Sequence, residues 1–169
     1  MNIDEAIRTR RTHKTYGPTP VPRETLEELF ELARWAPNHF VTEPWRFRVL
    51  GTETVVRLAA AGEPNELEKL KRAPTLVVAT AKLSGDLFMD ADDRQAAACA
   101  VYIVLLAAHA RGIGTYWRTP KLLRTEAGRA AVGIEPDEEL VGLIHLGSPT
   151  GEPKAKPRSP VDEFVSFLP

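Results

Sequence analysis

The sequence predicts a single α+β domain over residues 1–169, with a small central sheet flanked by helices. Three observations carry that reading. Residues 76–81 and 140–147 are short apolar runs suited to buried strands. Apolar residues elsewhere recur at helical spacing, so strands and helices alternate along the chain. One long apolar stretch, residues 96–108, suits a central helix. A chain of 169 residues is long enough to close a sizeable core of its own.

Taken in order, Asn2 with Glu5 three residues on forms a capped start and predicts a short helix ending near Arg10. Pro22 sits at a first helical position; Leu26, Leu29, Phe30 and Ala33 follow at helical spacing until Ala36-Pro37 stops the run. Residues 46–50 read as a strand. Thr52 is placed to cap a helix that Gly62 closes, and Asn65 with Glu68 makes another cap before Lys69-Leu70-Lys71-Arg72. Pro74 and Ser84-Gly85 bracket the first buried strand. Residues 95–110 follow as the central helix, too short in its apolar part for a membrane span of about 20 residues. A helix apolar all round must be covered on every side, which predicts a partner subunit. Gly112-Ile113-Gly114 ends it, Thr115-Tyr116-Trp117-Arg118 reads as a strand edge, and Thr119-Pro120 opens a helical stretch to about Gly133. After the second buried strand, residues 148–160 are Pro-, Lys- and Gly-rich. The chain turns apolar again from Val161 to Leu168, and that tail is expected to dock on another subunit.

The bulk numbers exclude several functions. Twenty-two Lys and Arg against 23 Asp and Glu leave a net charge of −1, which argues against a nucleic-acid binder and its broad basic face. Cys99 is the only cysteine, so no intrachain disulfide is available; its apolar setting disfavours a reactive thiol. The four histidines are scattered without ligand spacing, and no metal site is expected. His109 and His145 lie at apolar elements and are read as satisfied structural histidines. There is no Gly-x-Gly-x-x-Gly, no phosphate loop and no Gly-x-Ser-x-Gly. Met-Asn-Ile-Asp-Glu shows no signal-peptide pattern, so the expected location is cytoplasmic.

Two segments carry chemistry. Arg8-Thr9-Arg10-Arg11-Thr12-His13-Lys14-Thr15-Tyr16 concentrates cations and hydroxyls on one turn. Arginine forks and hydroxyls suit a phosphate ester through charge-assisted hydrogen bonds, although a charge run taken alone is more often a solvated loop. Residues 36–47 form a loop bracketed by Pro37 and Pro44 that runs into Trp45-Arg46-Phe47.

Together these segments resemble the FMN-dependent nitroreductase family, and nearest its short bacterial members. The resemblance extends over nearly the whole chain and implies an antiparallel or mixed sheet in an intertwined homodimer, with FMN at the subunit interface. It implies that Arg10, Arg11 and Thr12 hold the FMN phosphate and ribityl chain, and that Lys14 reaches the flavin pyrimidine edge. A cation there stabilises the charge of the reduced ring. Lys69 matches a second such lysine, and its Glu68-Lys69-Leu70-Lys71 context also fits a solvated face. Pro37, Asn38 and His39 take the place of a loop that crosses to the partner's flavin. Trp117, Arg118 and Thr119 match a segment lying along the flavin, and Arg158, after Gly147-x-Pro149, matches a phosphate-binding residue. Trp35, Val41 and Glu43 depart from the family pattern.

The implied activity is ping-pong reduction: NADH or NADPH delivers hydride, and a nitroaromatic, quinone or similar small electron acceptor removes it. No side chain nominates itself as a catalytic acid or base, as expected where the cofactor carries the chemistry. Other activities of the same superfamily (a dehydrogenase, a flavin-destroying enzyme or a reductive dehalogenase) share this site. A non-enzymatic flavin-binding protein, or a basic-turn protein binding phosphorylated ligands or RNA, stand as alternatives of a different class.

Overall fold

The computed structural model describes all 169 residues. Four strands, β1 (Trp45–Val49), β2 (Thr75–Lys82), β3 (Gly114–Arg118) and β4 (Glu138–Gly147), pair antiparallel in the order β1-β2-β4-β3. The two apolar runs are therefore the two central strands. Successive side chains on a strand face opposite ways, so β2 sends Val77 and Ala79 to one face and Leu76 and Val78 to the other. Both faces are covered, which is why the run is apolar throughout.

On the first face lie α2 (Arg23–Ala33) and α5 (Leu87–Ala110), burying Leu29, Val101, Val104, Ile144 and Leu146. On the second lie α3 (Thr52–Ala60), α4 (Glu66–Leu70) and α6 (Glu126–Ala131), with Leu58, Leu70, Leu123 and Leu143 fully buried. Each such leucine contributes roughly 1.5–3 kcal/mol of burial. The short α1 (Ile3–Thr9) packs near α5, and Asn2 Oδ1 accepts from the Glu5 amide at 2.9 Å, the cap the sequence predicts.

Other local expectations are corrected. Pro22 is the N-cap of α2, one position before the first helical residue. Gly51 rather than Thr52 caps α3, and Thr52 is its first helical residue. Asn65 precedes α4, but its left-handed φ of 75° leaves its side chain without a capping bond. The central helix starts at Leu87, two turns before its apolar run, because Asp86 caps it by accepting from the amides of Phe88 and Met89. The stretch after Pro120 divides at Thr125 into a 3₁₀ turn, Lys121–Arg124, and α6, with the Thr125 hydroxyl capping the latter.

Nor is α5 covered on all sides within this chain: Gln95, Cys99 and Tyr102 form an open stripe, and Tyr102 is 39% exposed. The apolar tail docks on nothing in its own chain; Phe167 is 95% exposed. No helix is long and apolar enough to cross a membrane.

Candidate functional site

The basic turn leaves α1 at Arg10 and is clamped between β3 and the segment after β4. The His13 amide donates to the Thr115 carbonyl at 2.9 Å, and the Gly17 amide to the Ser148 carbonyl at 2.9 Å. The Thr15 hydroxyl donates to the Thr150 carbonyl at 2.6 Å. Gly114 permits this close approach, since a Cβ there would lie 2.9 Å from Pro149 Cβ and 3.1 Å from His13 Cβ. The clamp brings residues distant in sequence around one cavity of about 670 Å³. Arg10, Arg11, Thr12, Lys14 and Arg158 all line it, joined by Tyr116, Lys154 and Lys156.

Arg10, Arg11, Lys14, Lys154, Lys156 and Arg158 line this cavity, and Glu152 is the only carboxylate that lines it with them. None of the six is ion-paired. Arg11 folds back, donating to the carbonyls of Arg8 (2.7 Å) and Arg10 (2.9 Å), which stiffens the turn. Lys14 Nζ stands 5.9 Å over the Tyr116 ring, within cation–π range. Burial, then the charges of His109 and Arg10, push the His13 pKa down. Burial followed by Arg10 and Arg11 does the same to His109, which bonds the Thr9 hydroxyl at 2.8 Å. The histidines beside the cavity are thus biased to the neutral form, and its charge comes from permanent cations.

Tyr116 and Arg118, two apart on β3, share a face of the sheet. Arg118 lines a second cavity of about 350 Å³ with Glu66, Lys69, Lys121 and Thr125. Lys69 Nζ lies 3.0 Å from Glu66 Oε2, and Arg118 Nη2 lies 3.9 Å from Glu66 Oε1. Two buried nitrogens on this side have no partner, Arg118 Nε and His145 Nε2. The expectation of a satisfied His145 is therefore corrected: its ring sits 5.5 Å from that of Tyr116, and no residue opposes its Nε2. Burial, then Arg118 and Arg72, lower its pKa to about 4, so it is neutral. Unpaired buried polar atoms are costly and uncommon, and both of these lie on one side of β3 and β4.

Other predicted residues lie elsewhere. Trp117 points to the opposite face, packs against the α5 side and donates its indole N–H to the Val141 carbonyl at 3.1 Å. Thr119 lines neither cavity. Pro37, Asn38 and His39 are also outside both, in a loop docked on the start of α5. His39 Nδ1 is 2.9 Å from Asp92 Oδ2, and the Thr42 hydroxyl donates to Asp93 at 2.6 Å. Asn38 holds the turn from within, accepting from the Glu43 amide at 2.9 Å. Phe40, Val41 and Glu43 carry φ of 50°, 54° and 46°, a strained backbone for a β-branched residue. Phe40 and Val41 face outward, as does Trp35 nearby.

A family profile described as "Nitroreductase family" matches residues 7–62 and 55–148, most of the chain. The chain belongs to the nitroreductase family. It is similar to "Putative NAD(P)H nitroreductase YfhC" of Bacillus subtilis, at 29% identity over 98% of this chain and 94% of the relative. Its fold is that of a nitroreductase-like family protein from Bacillus cereus, with a TM-score of 0.91 at 23% identity over 99% and 96% of the two chains. A Desulfovibrio desulfuricans protein described as a "putative nitroreductase in complex with fmn" matches at 25% identity and TM-score 0.81, over 100% of this chain and 98% of the other.

Sequence reasoning missed Tyr116, Lys154, Lys156 and Glu66. The first had a signal: strand alternation pairs Tyr116 with Arg118 and sets Trp117 on the other face. The two lysines were in view as part of a linker, but nothing local says that the linker returns to the first turn.

Proposed function

We propose that this nitroreductase-family chain is an FMN-dependent oxidoreductase that carries hydride from NADH or NADPH to a small acceptor such as a nitroaromatic or a quinone. The observation that carries the reading is the set of six unpaired permanent cations around one cavity. So much uncompensated charge is stabilised by a dianionic phosphate ester. The absence of a glycine-rich dinucleotide loop favours FMN over FAD. Arg10, Arg11, Thr12 and Arg158 would grip the phosphate, with Lys154 and Lys156 beside them. Lys14, Lys69 and Arg118 would flank the ring, and the neutral His145 and the free Arg118 Nε offer polar atoms for it. Trp117 and Thr119 would contribute backbone beside the ring rather than a side chain in either cavity. The bound flavin supplies the hydride chemistry; the chain supplies placement and positive charge.

The reading includes a homodimer. Phe40 and Val41 beside the Pro37-Asn38-His39 loop, Tyr102 on the open stripe of α5, and the exposed tail present apolar surface that a second copy would cover. The groove between α2 and β1 lined by Val21, Leu26, Phe30 and Val49 is an apolar landing place for a partner's tail. The test is to purify the protein, release any chromophore by heat and identify it by chromatography, then mix anaerobically with NADH and NADPH. FMN, bleaching by at least one nucleotide, and a dimer in ultracentrifugation are expected. Released FAD, a colourless preparation that FMN does not reconstitute, or a flavin that neither nucleotide bleaches would overturn it.

A further inference from the structure

The second cavity contains a buried acid that this reading leaves without a task. Glu66 is 8% exposed, and its two carboxylate oxygens address different cations, Lys69 at 3.0 Å and Arg118 at 3.9 Å. A lone carboxylate gains little by entering the interior unless its partners need it there. The local chain is built to seat it. Asn65 turns left-handed immediately before, and Glu66 and Lys69 then share one face of α4 at i, i+3 spacing. Across the cavity, Gly62 leaves the room: a Cβ there would lie 3.0 Å from Glu66 Cγ and 3.3 Å from Leu122 Cδ1. Arg118 is only half committed, with one nitrogen toward Glu66 and its buried Nε free.

We infer that Glu66 is a positioning residue, holding Lys69 and Arg118 in place and setting the net charge that the flavin meets at this end of the groove. The inference rests on the reading that FMN lies along β3 with its ring near Lys69 and Arg118. With Glu66 ionised, the three side chains sum to one positive charge; without it they sum to two. A more positive edge favours the reduced, more negative cofactor. Glu66 thereby restrains the reduction potential, so that the reduced flavin still gives up its hydride to a second acceptor.

The experiment measures the midpoint potential of the bound flavin, by equilibration with a reference dye, in Glu66→Gln, Glu66→Asp and Lys69→Met, alongside the melting temperature of each apoprotein. Glu66→Gln should shift the ratio of reduced to oxidised affinity about tenfold toward the reduced form, a rise of about 30 mV for a two-electron couple. It should also quicken reduction by NAD(P)H and slow reoxidation by the acceptor. Glu66→Asp, whose carboxylate is drawn back from both cations, should rise less, and it carries the test if the Gln variant does not fold. Lys69→Met should lower the potential. A purely structural Glu66 would lose apoprotein stability and weaken both flavin forms equally, with the potential unmoved; that result overturns the inference while Lys69→Met still lowers the potential. If Lys69→Met also leaves the potential unchanged with FMN bound, Lys69 does not face the flavin, and the reading and the inference fail together.

Discussion

Two charged regions of this molecule use the same residue types in opposite ways. Across β1, β2 and β4, Arg48 Nη2 meets Glu138 Oε1 at 2.7 Å, and the Thr80 hydroxyl donates to the other Glu138 oxygen at 2.6 Å. Every oxygen of that acid is used, and three strands are tied together beside the bulge at Ala79/Thr80. Around the basic cavity, by contrast, six cations share one carboxylate and form no ion pair. A saturated cluster stabilises the fold; an unsaturated one is held in place by the fold at a cost in self-repulsion, which a bound phosphate would relieve under the function proposed above. Pairing state, more than charge count, separates the two clusters.

The largest effect should come from breaking the saturated cluster. Glu138→Ala leaves the partly buried Arg48 without its carboxylate and the Thr80 hydroxyl without an acceptor, at a cost of about 2–4 kcal/mol. A domain of this size should then melt several degrees lower, measured on the apoprotein, with FMN affinity little changed. The same acid gives a pH signature. Burial alone would raise the Glu138 pKa; the bonds from Arg48 and Thr80 and the Arg48 charge outweigh it, and the net shift is downward. A depressed carboxyl pKa contributes stability that is complete above its unfolded value, near 4.3, and is lost as pH falls through the folded value. Melting of the parent between pH 6 and pH 3 should therefore fall more steeply than that of Glu138→Gln. Parallel curves would remove Glu138 from this role.

Substitution in the unsaturated cluster should do the reverse. Arg10→Ala or Arg158→Ala removes one charge-assisted contact to a phosphate, roughly 1.5–3 kcal/mol, or about ten- to hundredfold in FMN affinity by titration of the apoprotein. Apoprotein melting should hold steady or rise slightly, because a repelling cation is gone. Arg→Lys should restore charge without the fork and recover part of the affinity. An apoprotein destabilised by either alanine, with affinity unmoved, would make this cluster structural as well and erase the contrast.

The same contrast explains what was legible in the sequence. The central strands were readable because β2 and β4 are buried on both faces, which leaves an apolar run with no period to misread. The basic turn was readable because its charges are consecutive. Helix starts were less so: α5 begins at Leu87, two turns before the apolar stretch, since Asp90, Asp92, Asp93 and Arg94 give no hydrophobic signal. The burial of Glu66 was invisible, because Glu-Leu-Glu-Lys-Leu reads as a solvated face until tertiary packing buries its first residue. Trp117 was taken with Arg118 from one family-like segment, whereas the pleat sends the two side chains to opposite faces. Pairing is a tertiary property, and no single stretch of sequence encodes it.

The finest test concerns Lys14, which lies between the two behaviours. It belongs to the unpaired cluster, yet its ammonium stands over the Tyr116 ring and so has a weak partner already. Cation–π contact at a partly exposed site amounts to about 0.5–1 kcal/mol, too little to fix the side chain against a better acceptor. If Lys14 swings from the Tyr116 face to the flavin edge, it stabilises the reduced ring more than the oxidised one, and that difference appears as a potential and a rate rather than as affinity alone. Lys14→Met keeps most of the stem and deletes only the charge. The expected result is a lower midpoint potential and a few-fold slower bleaching by NAD(P)H at saturating FMN, with the apoprotein melting within about 1 kcal/mol of the parent. Tyr116→Leu removes the resting place without touching the cation, so it should leave the potential near the parent value. Should Lys14→Met keep the parent potential, Lys14 belongs with Lys154 and Lys156 as general phosphate-side charge, and tuning of the ring falls to Lys69, Arg118 and Glu66 alone.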